Sequence, residues 1–164
     1  MSARLALAVV LSLVALDCPG DRTSAAPTSN DAAALAGDLP LDPLQWRVIG
    51  SIVDPATSTM STLFGNEVAV QSARGGRIGR YPPGAMLALV TWTQQDDPHW
   101  FGARIPGHPE SIEVVAVHDV TRAGSPFEYQ AYRGEPLRKA AAPDAATVAE
   151  RVERIMGQPA AVMP

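Results

Sequence analysis

"AMLALVTWTQQDDPHWFGARI", residues 85–105, decides how this chain folds. In Ala85–Thr93 both alternating sets of side chains are mostly apolar, with Ala88, Val90 and Trp92 on one side and Leu87 and Leu89 on the other. A strand that is polar on neither face is covered on both. Ala85–Thr93 is therefore read as the central strand of a sheet. The five residues Gln94 to Pro98 suit a hairpin loop, and His99–Ile105 is read as the returning strand, with Pro98 placed where no ladder donor is needed.

Working outward, Trp46–Val53, "WRVIGSIV", has the β-branched enrichment of a strand, with Gly50 at a bulge position, and "MSTLF" at 60–64 is a shorter strand. Asn66 sits where an N-cap belongs, Glu67 follows in the first turn, and Gly75-Gly76 stops a helix of two to three turns. Downstream, "IEVVAV" at 112–117 is a strand. Phe127–Tyr132 alternates as a half-exposed strand nearer an edge, with Phe127, Tyr129 and Ala131 on one face. After Pro143 the period changes: Asp144 is an N-cap, and Val148, Val152, Ile155 and Met156 share a helical face. Glu150 and Arg154 are spaced to pair along this helix, and Gly157 with Pro159 ends it. The fold class is α+β: an antiparallel sheet of about five strands, a short helix between strands, and a C-terminal helix packed on the sheet.

The ends of the chain set its organisation. Leu5–Leu16, "LALAVVLSLVAL", is an apolar run of twelve residues behind Arg4, followed by small and turn residues, which is the pattern of a secretory signal over residues 1–20 with cleavage at 20–25. A bilayer-spanning helix needs about 20 apolar residues, so the mature chain is expected to carry no transmembrane segment. Export to the periplasm or beyond follows. Cys18, the sole cysteine, stands where a bacterial lipoprotein carries its acylated residue, although Asp17 is a poor match before it; a lipid anchor at Cys18 is the minority alternative to a cleaved leader. Residues 21–40 are poor in large apolar side chains and are read as a disordered linker, residues 41–137 as the sheet domain, and 143–164 as the C-terminal helix and tail. With 164 residues, 18% charged, and a net charge of −4, the chain has room for one domain and shows no basic footprint for nucleic acid.

Four blocks in order, "QWRVIGSIVDP", "MSTLFGNEVAV", "RYPPGAMLALVTW" and "DPHWFGARIPG", resemble the haem-binding domain of the cytochrome P-460 family over roughly residues 44–137. The resemblance implies an antiparallel sheet and a haem site. Members that carry haem attach it through a Cys-x-x-Cys-His run near the C-terminus, and some cross-link a lysine of the sheet to the porphyrin. This chain has no cysteine after Cys18 and no histidine after His118, and its single lysine, Lys139, is read as part of the linker ahead of the last helix, so that no strand of the sheet is expected to carry one. Any haem is thus expected not to be covalently attached through that motif, and the resemblance is that of a divergent member.

The candidate ligand-binding residues are Trp92, His99, Trp100, Phe101 and Arg104. If His99–Ile105 is a strand, Trp100 and Arg104 share a face with Gly102 between them, an arrangement that can stack on a planar ligand and hydrogen-bond an anionic one. The plainer reading has Arg104 paired with Glu113 or Glu67, and Trp92 in the core. His99, His108 and His118 are the only imidazoles for a metal or haem iron, and their spacings of nine and ten residues match no short metal motif. No Gly-x-Ser-x-Gly elbow, phosphate loop or dinucleotide fingerprint occurs, so no catalytic residue is assigned. Two functions remain: an exported domain that binds non-covalent haem or a small hydrophobic ligand between sheet and helix, and a non-enzymatic binding or interaction module that has lost the cofactor. A homodimer is compatible with either.

Overall fold

A computed structural model describes residues 29–76, 79–119 and 126–161. The leader, its cleavage site and Cys18 lie outside the described residues. The core is a six-stranded antiparallel sheet in sequential order, formed by β1 (Arg47–Asp54), β2 (Thr59–Gly65), β3 (Met86–Asp96), β4 (Arg104–Val117), β5 (Phe127–Arg133) and a two-residue β6 (Arg138–Lys139). Helix α1 (Glu67–Arg74) connects β2 to β3, and α2 (Ala145–Met156) follows the sheet. This is the α+β antiparallel sheet expected, with one short strand more, and that strand corrects the reading of Lys139 as a linker residue: it pairs opposite Tyr132 at the sheet edge.

β3 is covered on both faces. Leu87 and Leu89 join Ile49, Leu63, Val115 and Val117 under the two helices, packed with Val70 of α1 and with Val152, Ile155 and Met156 of α2. On the opposite face Ala88, Val90 and Trp92 pack with Phe64, Ile112, Val114, Tyr132 and Leu137. Among the described residues no α-helix covers that second face. It is roofed by the chain ahead of β1, through Ala33, Leu35, Leu39, Leu41 and Trp46. The described part of the stretch read as a linker is thus a strap: residues 31–33 form a 3-10 turn, and the Ala36 carbonyl accepts from the Leu137 N–H at 2.8 Å. Gly37 passes so close to the Leu137 backbone, at φ +149°, that a side chain there would collide with it.

Caps fix both helices. The Asn66 carboxamide oxygen accepts from Ala69 N–H at 3.0 Å and from Met86 N–H at 3.1 Å, while its nitrogen donates to the Gly84 carbonyl at 2.9 Å, so one side chain starts α1 and ties it to β3. Asp144 accepts from the backbone N–H of Ala146 and Thr147 and from the Thr147 hydroxyl at 2.6 Å, and these bonds hold its carboxyl below the usual carboxylate range.

The returning half of the hairpin differs from the sequence reading. β3 continues to Asp96, the loop is residues 97–103, and β4 is one strand from Arg104 to Val117 rather than two. Gln94 and Gln95 stay in the strand because their amides are used: Gln94 donates to the Thr59 carbonyl at 2.9 Å, and Gln95 to the Pro106 carbonyl at 3.2 Å. Pro106 and Pro109 are tolerated within β4 because the register slips between Thr91 and Trp92 and again between Trp92 and Gln94.

Candidate functional site

The loop between β3 and β4 is an aromatic tip. Asp97 Oδ1 accepts from the His99 N–H at 2.8 Å and lies 3.3 Å from His99 Nδ1, and the Ala103 N–H donates to the Trp100 carbonyl at 3.0 Å. Gly102, at φ +79°, supplies the left-handed residue that closes the turn. The consequence is full presentation of Trp100, 72% exposed, and of Phe101, whose side chain touches almost nothing. Because residues 98–102 are not strand, Trp100 and Arg104 do not share a pleated face.

Arg104 pairs with Asp96 at 3.3 Å, not with Glu113 or Glu67; Glu67 instead faces Arg47 at 3.7 Å. Trp92 is buried on the strap face, where its Nε1–H donates to the Ala33 carbonyl at 3.0 Å and its ring meets Phe64 edge-on at 6.5 Å. The five sequence candidates therefore divide: His99, Trp100 and Phe101 share the tip, Arg104 stands at its foot, and Trp92 is core. The histidines are also apart, each beside its own carboxylate: His99 with Asp97, His108 with Glu135 at 3.6 Å, and His118 with Glu128 at 3.2 Å. Among the described residues no group of three or more His, Cys, Asp or Glu side chains is placed to hold a metal ion.

An apolar concavity lies elsewhere. A pocket of about 840 Å³ runs along α2, with Ala145, Val148, Ala149, Val152, Glu153 and Met156 forming one wall and Phe127, Pro143 and Gly79 the other. The spacing 145, 148, 149, 152, 156 is a single helical face. Its inner edge, Val152 and Met156, is shared with the core, and its outer edge is alanine, which leaves the space. Gly79 N–H donates to the Met156 carbonyl at 3.0 Å and seats the far end of the wall. Sequence reasoning found the buried stripe of α2 and put a ligand between sheet and helix, but it named none of these lining residues as the site.

Beneath α2 lies a polar cluster that sequence reasoning also missed. Glu113, only 3% exposed, points from β4 toward the helix, where its carboxylate accepts from Arg151 at 2.7 Å, from the Tyr129 hydroxyl, and from Arg154 at 3.4 Å. Arg154 thus bridges helix to sheet instead of pairing with Glu150. Burial, and then the bond to Glu113, push the Tyr129 phenol up to about 12, and the same carboxylate raises Arg151 further above its already high value. The only signal in the sequence was an acid inside the apolar run "IEVVAV", with two arginines on a later helix.

Comparison with curated proteins finds no match. A family model described as Cytochrome P460 matches residues 42–154, a span that holds every strand of the sheet, α1 and most of α2.

Proposed function

The chain belongs to the cytochrome P460 family, whose members bind haem, and from that premise we propose that it is an exported binding domain which holds a small hydrophobic ligand in the pocket between α2 and Phe127. The observation that carries this reading is the cavity itself, about 840 Å³ and walled mostly by Ala, Val, Phe and Pro side chains, within the size range of small-molecule sites. The apolar leader at Leu5–Leu16 supports export. No helix among the described residues is long and apolar enough to cross a membrane.

The described lining does not fit haem. It offers no imidazole, thiolate or amine to iron, and its one sulfur, in Met156, belongs to a side chain 5% exposed and packed in the core. Its one charged side chain is the Glu153 carboxylate, which would face the porphyrin's anionic propionates with like charge.

The test is to purify the chain from haem-replete cells, record its visible spectrum, and titrate it with haemin and with the neutral fluorophore N-phenyl-1-naphthylamine. A colourless protein that takes up the fluorophore saturably, and loses this in Ala149→Trp, is the expected result. Absence of saturable uptake would sink the pocket. A stoichiometric Soret band would overturn the exclusion of haem, and its shift in His99→Ala would move the site to the hairpin tip.

The exposed Trp100 and Phe101 favour a second reading, in which the domain is an interaction module that contacts a partner through the tip. Under it, Trp100→Ser with Phe101→Ser would abolish partner capture and leave fluorophore uptake intact.

A further inference from the structure

The pocket carries a charge that the described residues of its helix do not explain. Glu153 is solvent-exposed and is the only charged side chain among the described lining residues. The helix gives it no cation: positions i−4 and i+4 are Ala149 and Gly157, and i−3 and i+3 are Glu150 and Met156. The nearest arginines along the helix, Arg151 and Arg154, are both engaged on the sheet side by Glu113. Nor does the helix favour an acid at this point. Glu153 stands in the last turn of α2, where the macrodipole is negative and a basic residue is the stabilising choice. Gly157, at the C-terminal end of that helix, also lines the pocket, so the helix's negative pole and the carboxylate lie at the same end of an otherwise apolar cavity.

From this arrangement we infer that the pocket selects hydrophobic cations: ligands with an apolar body that lies along Val148, Val152 and Phe127 and an amine or quaternary ammonium head that meets Glu153 and the C-terminal end of α2. The inference rests on the pocket reading above and adds the ligand's charge to it. An anionic head is repelled by both negative groups, and a neutral one gains no charge attraction from either, at most a hydrogen bond. The partnered acids of the tip, Asp96 and Asp97, offer no comparable site, because they already hold Arg104 and His99 beside a polar loop.

Three probes with one alkyl body separate the ideas: decyltrimethylammonium, decanol and decyl sulfate, each below its aggregation concentration, titrated against bound N-phenyl-1-naphthylamine at low salt. The expected order is ammonium tighter than alcohol by about fivefold, with sulfate weakest, and a preference that shrinks as salt screens it. Glu153→Gln should bring the ammonium probe down to the affinity of the alcohol, and Ala149→Trp should abolish displacement by all three. Equal affinities for the three probes in the parent protein would overturn the charge selection while leaving the pocket in place. A preference that survives Glu153→Gln would overturn the assignment to this carboxylate. Failure of every probe, and of the fluorophore, would remove the pocket reading itself.

Discussion

At the scale of single residues, the side chains that decide this structure include a few polar groups at the joints between helix and sheet. Asn66 caps a helix and holds the next strand with the same amide. Glu113 draws two arginines and a tyrosine to the sheet under α2. Tyr129 makes that cluster sensitive to alkali. In the unfolded chain a phenol releases its proton near pH 10, whereas in the folded protein this one holds it to about 12. Between those values the unfolded state binds fewer protons, so stability contributed by the neutral phenol is intact below pH 10 and is lost as pH rises toward 12. Urea unfolding at pH 8, 10 and 11.5 should show this loss, and Tyr129→Phe should reduce it without abolishing it, because Tyr81 and Tyr132 are also raised, chiefly by burial. An alkaline loss of unchanged size in Tyr129→Phe would refute the attribution. None of this was readable from sequence spacing: Glu113 and Arg151 are 38 positions apart and meet only because α2 folds back over β4.

At the scale of elements, an unbroken period was a reliable guide. The alternation in Phe127–Tyr132 and the stripe from Val148 to Met156 both became the elements they spell, and the caps at Asn66 and Asp144 accept the bonds their positions require. The returning strand was misread because Pro106, Gly107 and Pro109 are local stop signals, and only the register slips opposite them, set by β3, let the ladder continue. The hairpin tip shifted with it, and the grouping of Trp100 with Arg104 on one face was lost. The expected ligand position between sheet and helix came without its lining for a different reason, since the walls come from residue 79, residue 127 and residues 143–157, which no single period connects. The docking of α2 can be tested by two substitutions one position apart. Val152→Asp places an unpaired carboxylate at a site 5% exposed and should cost several kcal/mol, about the stability of a small domain. Glu153→Ala, on the solvent side, should alter the folding free energy by no more than about 0.5 kcal/mol. Thermal melts of the two variants give the comparison, and similar losses in both would mean that α2 is not docked by the face described.

At the scale of the whole molecule, the sheet is clamped from two sides by unlike devices, a pair of helices on one face and an irregular strap on the other. A helix of twelve residues is marginal on its own in water, so α2 exists because the sheet receives it, and the core on the sheet's helix side is covered because α2 is there. Removing residues 143–164 should leave that side of the core open and produce an aggregating or dye-binding protein. A truncated chain that stays monomeric and melts with the parent would show that α2 is a tail. The strap has a consequence of another kind. The described chain begins on the face opposite α2, with Asn30 donating to the Pro106 carbonyl at 2.6 Å before the strap crosses to β1. A bead or sensor surface joined directly at Ser29 would therefore meet the molecule from its strap side. The helix side, with the concavity along α2, would then face solution.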